Sequence, residues 1–322
     1  MQYKNKGKAF SMNEYKPEGA LIATPKNYEY ISSKEGLETA LDRQVILEAT
    51  AYMCDHDLNL FVNLPCGIKG IIPKEEVQFC HSNEQIKDIA ILTRVGKTVC
   101  FKILGFKIAK NGTPYVILSR RSAQKECVEN FAEALIPGDI VKSKITHLEK
   151  FGAFVDIGCG IIALLSIDSI SISRISHPRE RFSVGDTIYT IIKSIDSNKR
   201  IFVTTKELLG SWEQNASRFS EGETVQGIVR SIESYGIFIE LMPNLSGLAE
   251  YKSGINEGKN VAVYIKSIIP EKMKVKLILI DEVSSSPPKN NLEYFIDIKN
   301  TNHMDSWTFS PPTSKKLIES VF

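Results

Sequence analysis

Three phenylalanines in this chain sit on the side of a strand where a polar residue is expected. Phe154 lies in Phe151-Gly152-Ala153-Phe154-Val155-Asp156-Ile157-Gly158, and Phe238 in Tyr235-Gly236-Ile237-Phe238-Ile239-Glu240-Leu241. Phe61 lies in Leu60-Phe61-Val62-Asn63-Leu64. Successive side chains of a strand point to opposite faces. Val155 and Ile157 therefore share the core side, and Phe154 shares the outer side with Asp156. By the same rule Phe238 goes with Glu240, and Phe61 with Asn63. A ring facing water is a platform on which another flat group can stack. Basic residues open the last strand of the two later copies, Arg200 and Lys274, and Lys142 and Lys144 stand on an earlier strand. Rings plus cations can hold a flat, anionic ligand. They make and break no bonds.

These residues recur because the segments that carry them recur. Gly138-Asp139 aligns with Gly222-Glu223, Phe151 with Tyr235 and Phe154 with Phe238, all at an offset of 84. Val184-Gly185-Asp186 answers to Glu257-Gly258-Lys259, and Ile191 to Ile195 answers to Tyr264 to Ile268, at an offset of 73. A more divergent copy lies upstream, with Phe61 where Phe154 falls and Val95-Gly96-Lys97 where Val184-Gly185-Asp186 falls. Fixed-period self-similarity of this kind marks a repeat architecture. Each copy is about 70 residues of short β-branched strands with turn signals such as Asn198-Lys199 and Asn111-Gly112 between them. In the middle copy the strands are expected over 140–147, 151–157, 160–165, 186–195 and 200–205. Five short strands with a longer excursion after the third fit a closed Greek-key barrel of the OB type, and closure also removes exposed edges.

The expected fold class is all-β with linker helices: three tandem OB-type five-stranded Greek-key barrels. The expected organisation is an N-terminal extension (1–39), a degenerate first repeat (40–121), a linker helix (122–137) and a second repeat (138–206). A further linker helix (207–221), a third repeat (222–281) and a C-terminal tail (282–322) complete it. Ser284 to Pro288 reads as a flexible break, and the apolar residues beyond it are expected to dock on the last barrel.

Bulk composition excludes several classes. The 322 residues carry 40 Lys and Arg against 38 Asp and Glu, a net charge of +2, which is not the balance of a protein that packages duplex DNA. Six cysteines lie at 54, 66, 80, 100, 127 and 159 with no CxxC pair, and His56, His81, His147, His177 and His303 are scattered. Neither pattern fits a metal site or a disulfide framework, so no metal and no cofactor is expected. Lys4, Lys6, Lys8 and Lys16 are followed by no apolar segment of a secretory signal, and no apolar run reaches the length of a membrane span, so a cytoplasmic protein without membrane contact is expected. No nucleophile elbow, phosphate loop or zinc-protease motif is present. The chain is not expected to be an enzyme or to take a small-molecule substrate.

The run from Gly138-Asp139 through Phe151 to Gly158, Val184-Gly185-Asp186, Ile195-Asp196 and Arg200-Ile201 resembles the S-one domain. That domain is the RNA-binding repeat of a large protein of the bacterial small ribosomal subunit. The first copy resembles the degenerate leading repeats of that family through Gly70-Ile71-Ile72-Pro73 and Leu118-Ser119-Arg120-Arg121. The whole chain looks like the short, three-repeat form found in some Gram-positive bacteria.

The resemblance implies a ligand face of two aromatics, a His after the third strand, and an Asp and a basic residue bracketing the last hairpin. Carried over, the second copy holds Phe151, Phe154, Asp196 and Arg200, with Ser166 at the His position. The third holds Tyr235, Phe238 and Lys274, with Glu250 at the His position. The first holds Phe61, with Pro73 at the His position. The expected ligand is single-stranded RNA, messenger or ribosomal, with the small ribosomal subunit as partner. A protein-interaction scaffold with incidental RNA contact is the rival. Phe151 and Phe154 are three residues apart, so a straight strand sets them on opposite faces. Sharing a face requires a bend at Gly152, and the same holds for Tyr235 and Phe238 at Gly236.

Overall fold

The computed structural model describes residues 15–80, 86–283 and 292–322. Lys4, Lys6, Lys8, His81 and the break from Ser284 to Pro288 lie outside the described residues. The chain divides into two compact units, residues 1–135 with 156–162 and residues 136–155 with 163–322.

The first unit opens with helices α1 (Pro25–Ile31) and α2 (Lys34–Arg43). The Thr24 and Ser33 side chains cap them by accepting the N–H of Asn27 and Gly36, and Pro25 is pre-set for the first turn. Strands β1 (Leu47–Cys54), β2 (Leu60–Asn63) and β3 (Lys69–Ile72) follow, then the short helix α3 (Asp88–Leu92), β4 (Thr98–Ile108) and β5 (Pro114–Ser119). They close a barrel in the order β1-β2-β3-β5-β4. Tyr30, Ile31, Leu37 and Ala40 of the two helices share one core with Leu60, Val62, Phe101 and Leu118 of the barrel. Tyr30, Ile31 and Leu37 of the expected N-terminal extension thus pack in the core of the first barrel. Helix α4 (Arg120–Asn130) begins two residues before the expected linker helix. Its first residue, Arg120, is fully buried and donates to both carboxylate oxygens of Glu18, at 2.6 and 3.0 Å.

The second unit holds two barrels. Strands β6 (Ile140–Glu149), β7 (Gly152–Asp156), β8 (Ile162–Ser166), β9 (Thr187–Ile195) and β10 (Ile201–Thr204) close in the order β10-β8-β7-β6-β9. Strands β11 (Thr224–Glu233), β12 (Gly236–Met242), β13 (Leu245–Ala249), β14 (Asn260–Ile269) and β15 (Lys274–Glu282) close in the order β11-β12-β13-β15-β14. In each barrel the third strand runs parallel to the fifth. These are the expected five-stranded OB-type barrels. The linker expected as a helix over 207–221 is a 3-10 turn (Lys206–Leu209) and helix α5 (Trp212–Ala216). Gly210, at φ +82°, separates them, and a Cβ there would meet the Phe295 ring at 2.7 Å.

The tail folds into a hairpin of β16 (Ser306–Thr308) and β17 (Glu319–Val321). Trp307 and Phe309 enter the core of the third barrel. Tyr294, Ile296, Ile298 and Phe322 pack on Ile140 and Ile191 of the second barrel and Leu208 of the linker. The tail therefore docks on both barrels, not only the last. Burying a side chain such as Phe309 contributes roughly 1.5–3 kcal/mol, and several tail side chains are buried in this way.

Candidate nucleic-acid interface

The glycine corner behaves as its sequence position requires. At Gly152, β7 passes so close to β8 that a Cβ would sit 2.4 Å from the Leu165 carbonyl oxygen. The Phe151 carbonyl accepts the Ile167 N–H at 2.9 Å, which fixes the corner. Phe151 turns onto the face of Phe154, and the two rings meet edge to face, 6.0 Å apart at 88°. Gly236 repeats this, with a Cβ position 2.6 Å from the Ala249 carbonyl oxygen. Tyr235 and Phe238 stand 6.2 Å apart, also at 88°. The more exposed ring of each pair is the first, Phe151 at 55% and Tyr235 at 68%. Phe154 and Phe238 are half-buried beneath.

The surface continues across each barrel in one row. Phe238 pairs with Leu248, and Leu248 with Lys276. In the second barrel Leu164 pairs with Phe202, and Leu164 is the counterpart of Leu248. In the first, Phe61 pairs with Ile71 and Ile71 with Ile117. Repeat alignment alone does not single out Phe202. His147 stacks on Phe154 at 6.3 Å and 27°, and its Nε2 lies 2.6 Å from Glu149 Oε1. Its neighbour on the next strand is visible only once the register is known.

Asp196 clamps Arg200. Its Oδ1 accepts the Arg200 backbone N–H at 2.9 Å and its Oδ2 accepts Nε at 2.8 Å, while Lys199 between them turns through φ +61°. The Arg200 backbone N–H, aided by its guanidinium, holds the Asp196 carboxyl below the usual range. Ser166, at the His position, donates to Ser169, and Lys193 reaches the same hydroxyl at 3.2 Å. Lys142 and Lys144 pair with Tyr189 and Thr187 on β9. His147 is three residues beyond Lys144 and five beyond Lys142 on β6, about 10 and 17 Å at the usual strand rise. Both lysines lie further back along β6 than the His147 that stacks on Phe154.

In the third barrel, Lys274 opens β15 opposite Ile269, and the turn before it is the 3-10 segment Pro270–Lys272. Pro270 supplies no carboxylate to clamp it. Lys274 faces a cleft of about 640 Å³ with Tyr235, Tyr251, Lys252, Lys266 and Lys276, and Glu250 is the acid on its wall. In the first barrel Phe61 is not alone. Tyr52, on the bulge of β1, meets it edge-on at 6.4 Å, and Lys69 Nζ lies 5.9 Å from its ring centre. The matching bulge of the third barrel holds Arg230, between Val229 and Ser231, so the repeat does not single out an aromatic there.

Asp156 and Glu240 do not face water, although strand alternation sets them beside Phe154 and Phe238. Asp156 accepts the N–H groups of Glu18, Gly158 and Gly160 at 2.7, 2.8 and 3.0 Å. Burial, then the neighbouring Glu18 carboxylate, push it up to about 7. Glu240 accepts from Arg181 at 2.5 Å and from Arg230 at 2.7 and 3.1 Å, and Arg230 also contacts Glu180. Arg181, from the long excursion before β9, is consumed in this buried pair. Alternation fixes the side of the strand, not what another segment lays over it.

All six cysteines are free thiols, with Cys100, Cys127 and Cys159 buried. Among the described residues no cluster of His, Cys, Asp or Glu is arranged to hold a metal, and no helix is long and apolar enough to cross a membrane.

Residues 135–206, which span the second barrel, match the family model described as S1 RNA binding domain. Small ribosomal subunit protein bS1 of Staphylococcus aureus (strain MRSA252) is 27% identical over 308 residues, 93% of this chain and 71% of the relative. The bS1 of Staphylococcus haemolyticus is 28% identical over 270 residues, 81% of this chain and 63% of the relative. A solved multidomain protein with nucleic acid binding domains from Streptococcus pneumoniae covers 74% of this chain and 73% of its own at 15% identity. Its TM-score of 0.24 is too low to carry an argument. The matched domain, the relatives along most of the chain and the three barrels agree: the second barrel carries an S1 RNA binding domain, and the chain is similar to bS1 over most of its length.

Proposed function

We propose that this protein binds single-stranded RNA through the outer faces of its second and third barrels, in translation at the small ribosomal subunit. The observation that carries the reading is the edge-to-face ring pair built twice on the same glycine corner, Phe151 with Phe154 and Tyr235 with Phe238. Unpaired bases stack on such rings, and Arg200, Lys274 and their neighbours neutralise phosphates. The domain match and the bS1 relatives support RNA as the ligand and the ribosome as the setting. The protein acts in the cytoplasm by binding, without catalysis, and two weak sites on one chain reinforce each other.

The test is the Phe154→Ala/Phe238→Ala variant, titrated with a labelled single-stranded RNA. Stacking is worth about 1–3 kcal/mol per base, so removing both rings should weaken binding at least tenfold while the circular dichroism spectrum stays that of the wild type. Unchanged affinity would sink the proposed platform.

A further inference from the structure

We propose that the C-terminal tail and the segment after β8 complete the RNA site of the third barrel, as a cleft that holds the phosphodiester backbone beside Tyr235 and Phe238. This rests on the reading that the barrels bind RNA. The cleft has a volume of about 550 Å³, within the range of small-ligand sites. Tyr235 and Phe238 form one wall. Arg174 from the second barrel and Lys316 from the tail line it too, with Lys272 from the third barrel's own hairpin. These three cations are exposed, and none forms an ion pair among the described residues. Arg230 also lines the cleft but is tied to Glu240, and Glu233 is the acid among the lining residues.

The two borrowed cations stand on fixed backbone. Ser173, next to Arg174, donates its N–H to the Pro243 carbonyl at 2.9 Å, and its hydroxyl lies 2.5 Å from that of Ser246. The hairpin that carries Lys316 is anchored at its base. There the Phe309 N–H donates to the Ile318 carbonyl at 2.9 Å, and the Trp212 N–H to the Phe309 carbonyl at 2.9 Å. Little ordering is left to be done when a ligand arrives, so the contacts are retained as affinity.

Tyr235 lines both this cleft and the one that holds Lys252, Lys266, Lys274 and Lys276. Cations on both sides of an exposed ring suit a chain of phosphates with a stackable base between them. A single small anion would use one side only.

The experiment titrates the full chain with a labelled oligouridine over a series of salt concentrations. Arg174→Ala/Lys316→Ala should weaken binding and make the slope of log affinity against log salt about 1.4 shallower, at about 0.7 per lost phosphate contact for a single strand. Arg174→Lys/Lys316→Arg should restore the slope. If the wild type binds, Phe238→Ala weakens it and the double alanine variant keeps the wild-type affinity and slope, the composite site is overturned and RNA binding stands. A wild type that does not bind overturns both.

Discussion

The second and third barrels build the same ring pair and surround it with different chemistry. Around Phe151 and Phe154 lie further flat or apolar groups, His147, Leu164 and Phe202, and the hairpin cation Arg200 is already engaged by Asp196. Around Tyr235 and Phe238 lie lysines, with Lys276 in the place of Phe202 and Lys274 in no ion pair among the described residues. The platform is a property of the barrel, because the glycine corner and the strand register dictate it. The charge is a property of the edges, the hairpins and neighbouring segments, and these vary between repeats. One site should therefore lean on stacking and the other on phosphate neutralisation.

The largest effect is expected where the two barrels differ under the rings. Glu240 neutralises both Arg181 and Arg230, whose side chains are almost wholly buried. Removing one member of a buried ion pair costs about 3–5 kcal/mol, because the charge left behind has no water. Glu240→Ala should therefore lower the unfolding midpoint of the third barrel strongly. Both tryptophans of the chain, Trp212 and Trp307, lie in that barrel's core cluster, so tryptophan fluorescence during a urea titration reads it directly. Phe154→Ala in the second barrel should leave the same signal in place. A Glu240→Ala midpoint equal to the wild type would show that the arginines find other partners.

A smaller effect separates the two binding faces. Phe151→Ala/Phe154→Ala leaves the third barrel to bind, and Tyr235→Ala/Phe238→Ala leaves the second. Each pair should lose about 1–3 kcal/mol per base no longer stacked. The residual binding should differ in kind: steeply salt-dependent when the lysine-rich third barrel remains, shallow when the second remains. Equal slopes in the two variants would erase the proposed division of labour.

Much of this architecture is legible in the sequence, and the gaps have identifiable causes. The expected strands of the middle repeat fall within a residue or two of β6 to β10, because Val155, Ile157, Ile201 and Val203 alternate with polar or half-buried neighbours. The glycine corner is legible for a similar reason: an aromatic-glycine step before an alternating run leaves few ways to place both rings. Tyr52 is not legible, because a bulge between Ala51 and Met53 decides its direction and no repeat position predicts a bulge. The burial of Asp156 and Glu240 is hidden because their covering groups come from distant segments, Glu18 and Arg181 among them. Helices α1 and α2 carry cap signals in Thr24-Pro25 and Ser33, but they lie outside the repeat that organises the rest of the chain.

The smallest difference lies in the hairpin clamp. The second barrel has Asp196 where the third has Ile269 or Pro270, so Asp196→Ala converts one arrangement towards the other. Arg200 would lose its Nε partner, and the Asn198 and Arg200 backbone N–H donors would lose their carboxylate acceptor. The pair is exposed, and surface pairs contribute little, so the unfolding midpoint should barely move. The linkage has a definite sign. A carboxyl held low in the folded state adds stability above its unfolded value, about 3.9, and that stability is lost as pH falls through the folded value. Between pH 5 and 8 the variant and the wild type should therefore show parallel stability curves, with the small gap between them closing only under more acid conditions. RNA affinity at neutral pH then reads what the clamp does for binding. If Asp196 matters by aiming Arg200, the alanine variant binds more weakly although the cation is kept. If an unclamped cation serves equally well, as Lys274 must in the third barrel, affinity is unchanged or rises because a negative charge has left the face.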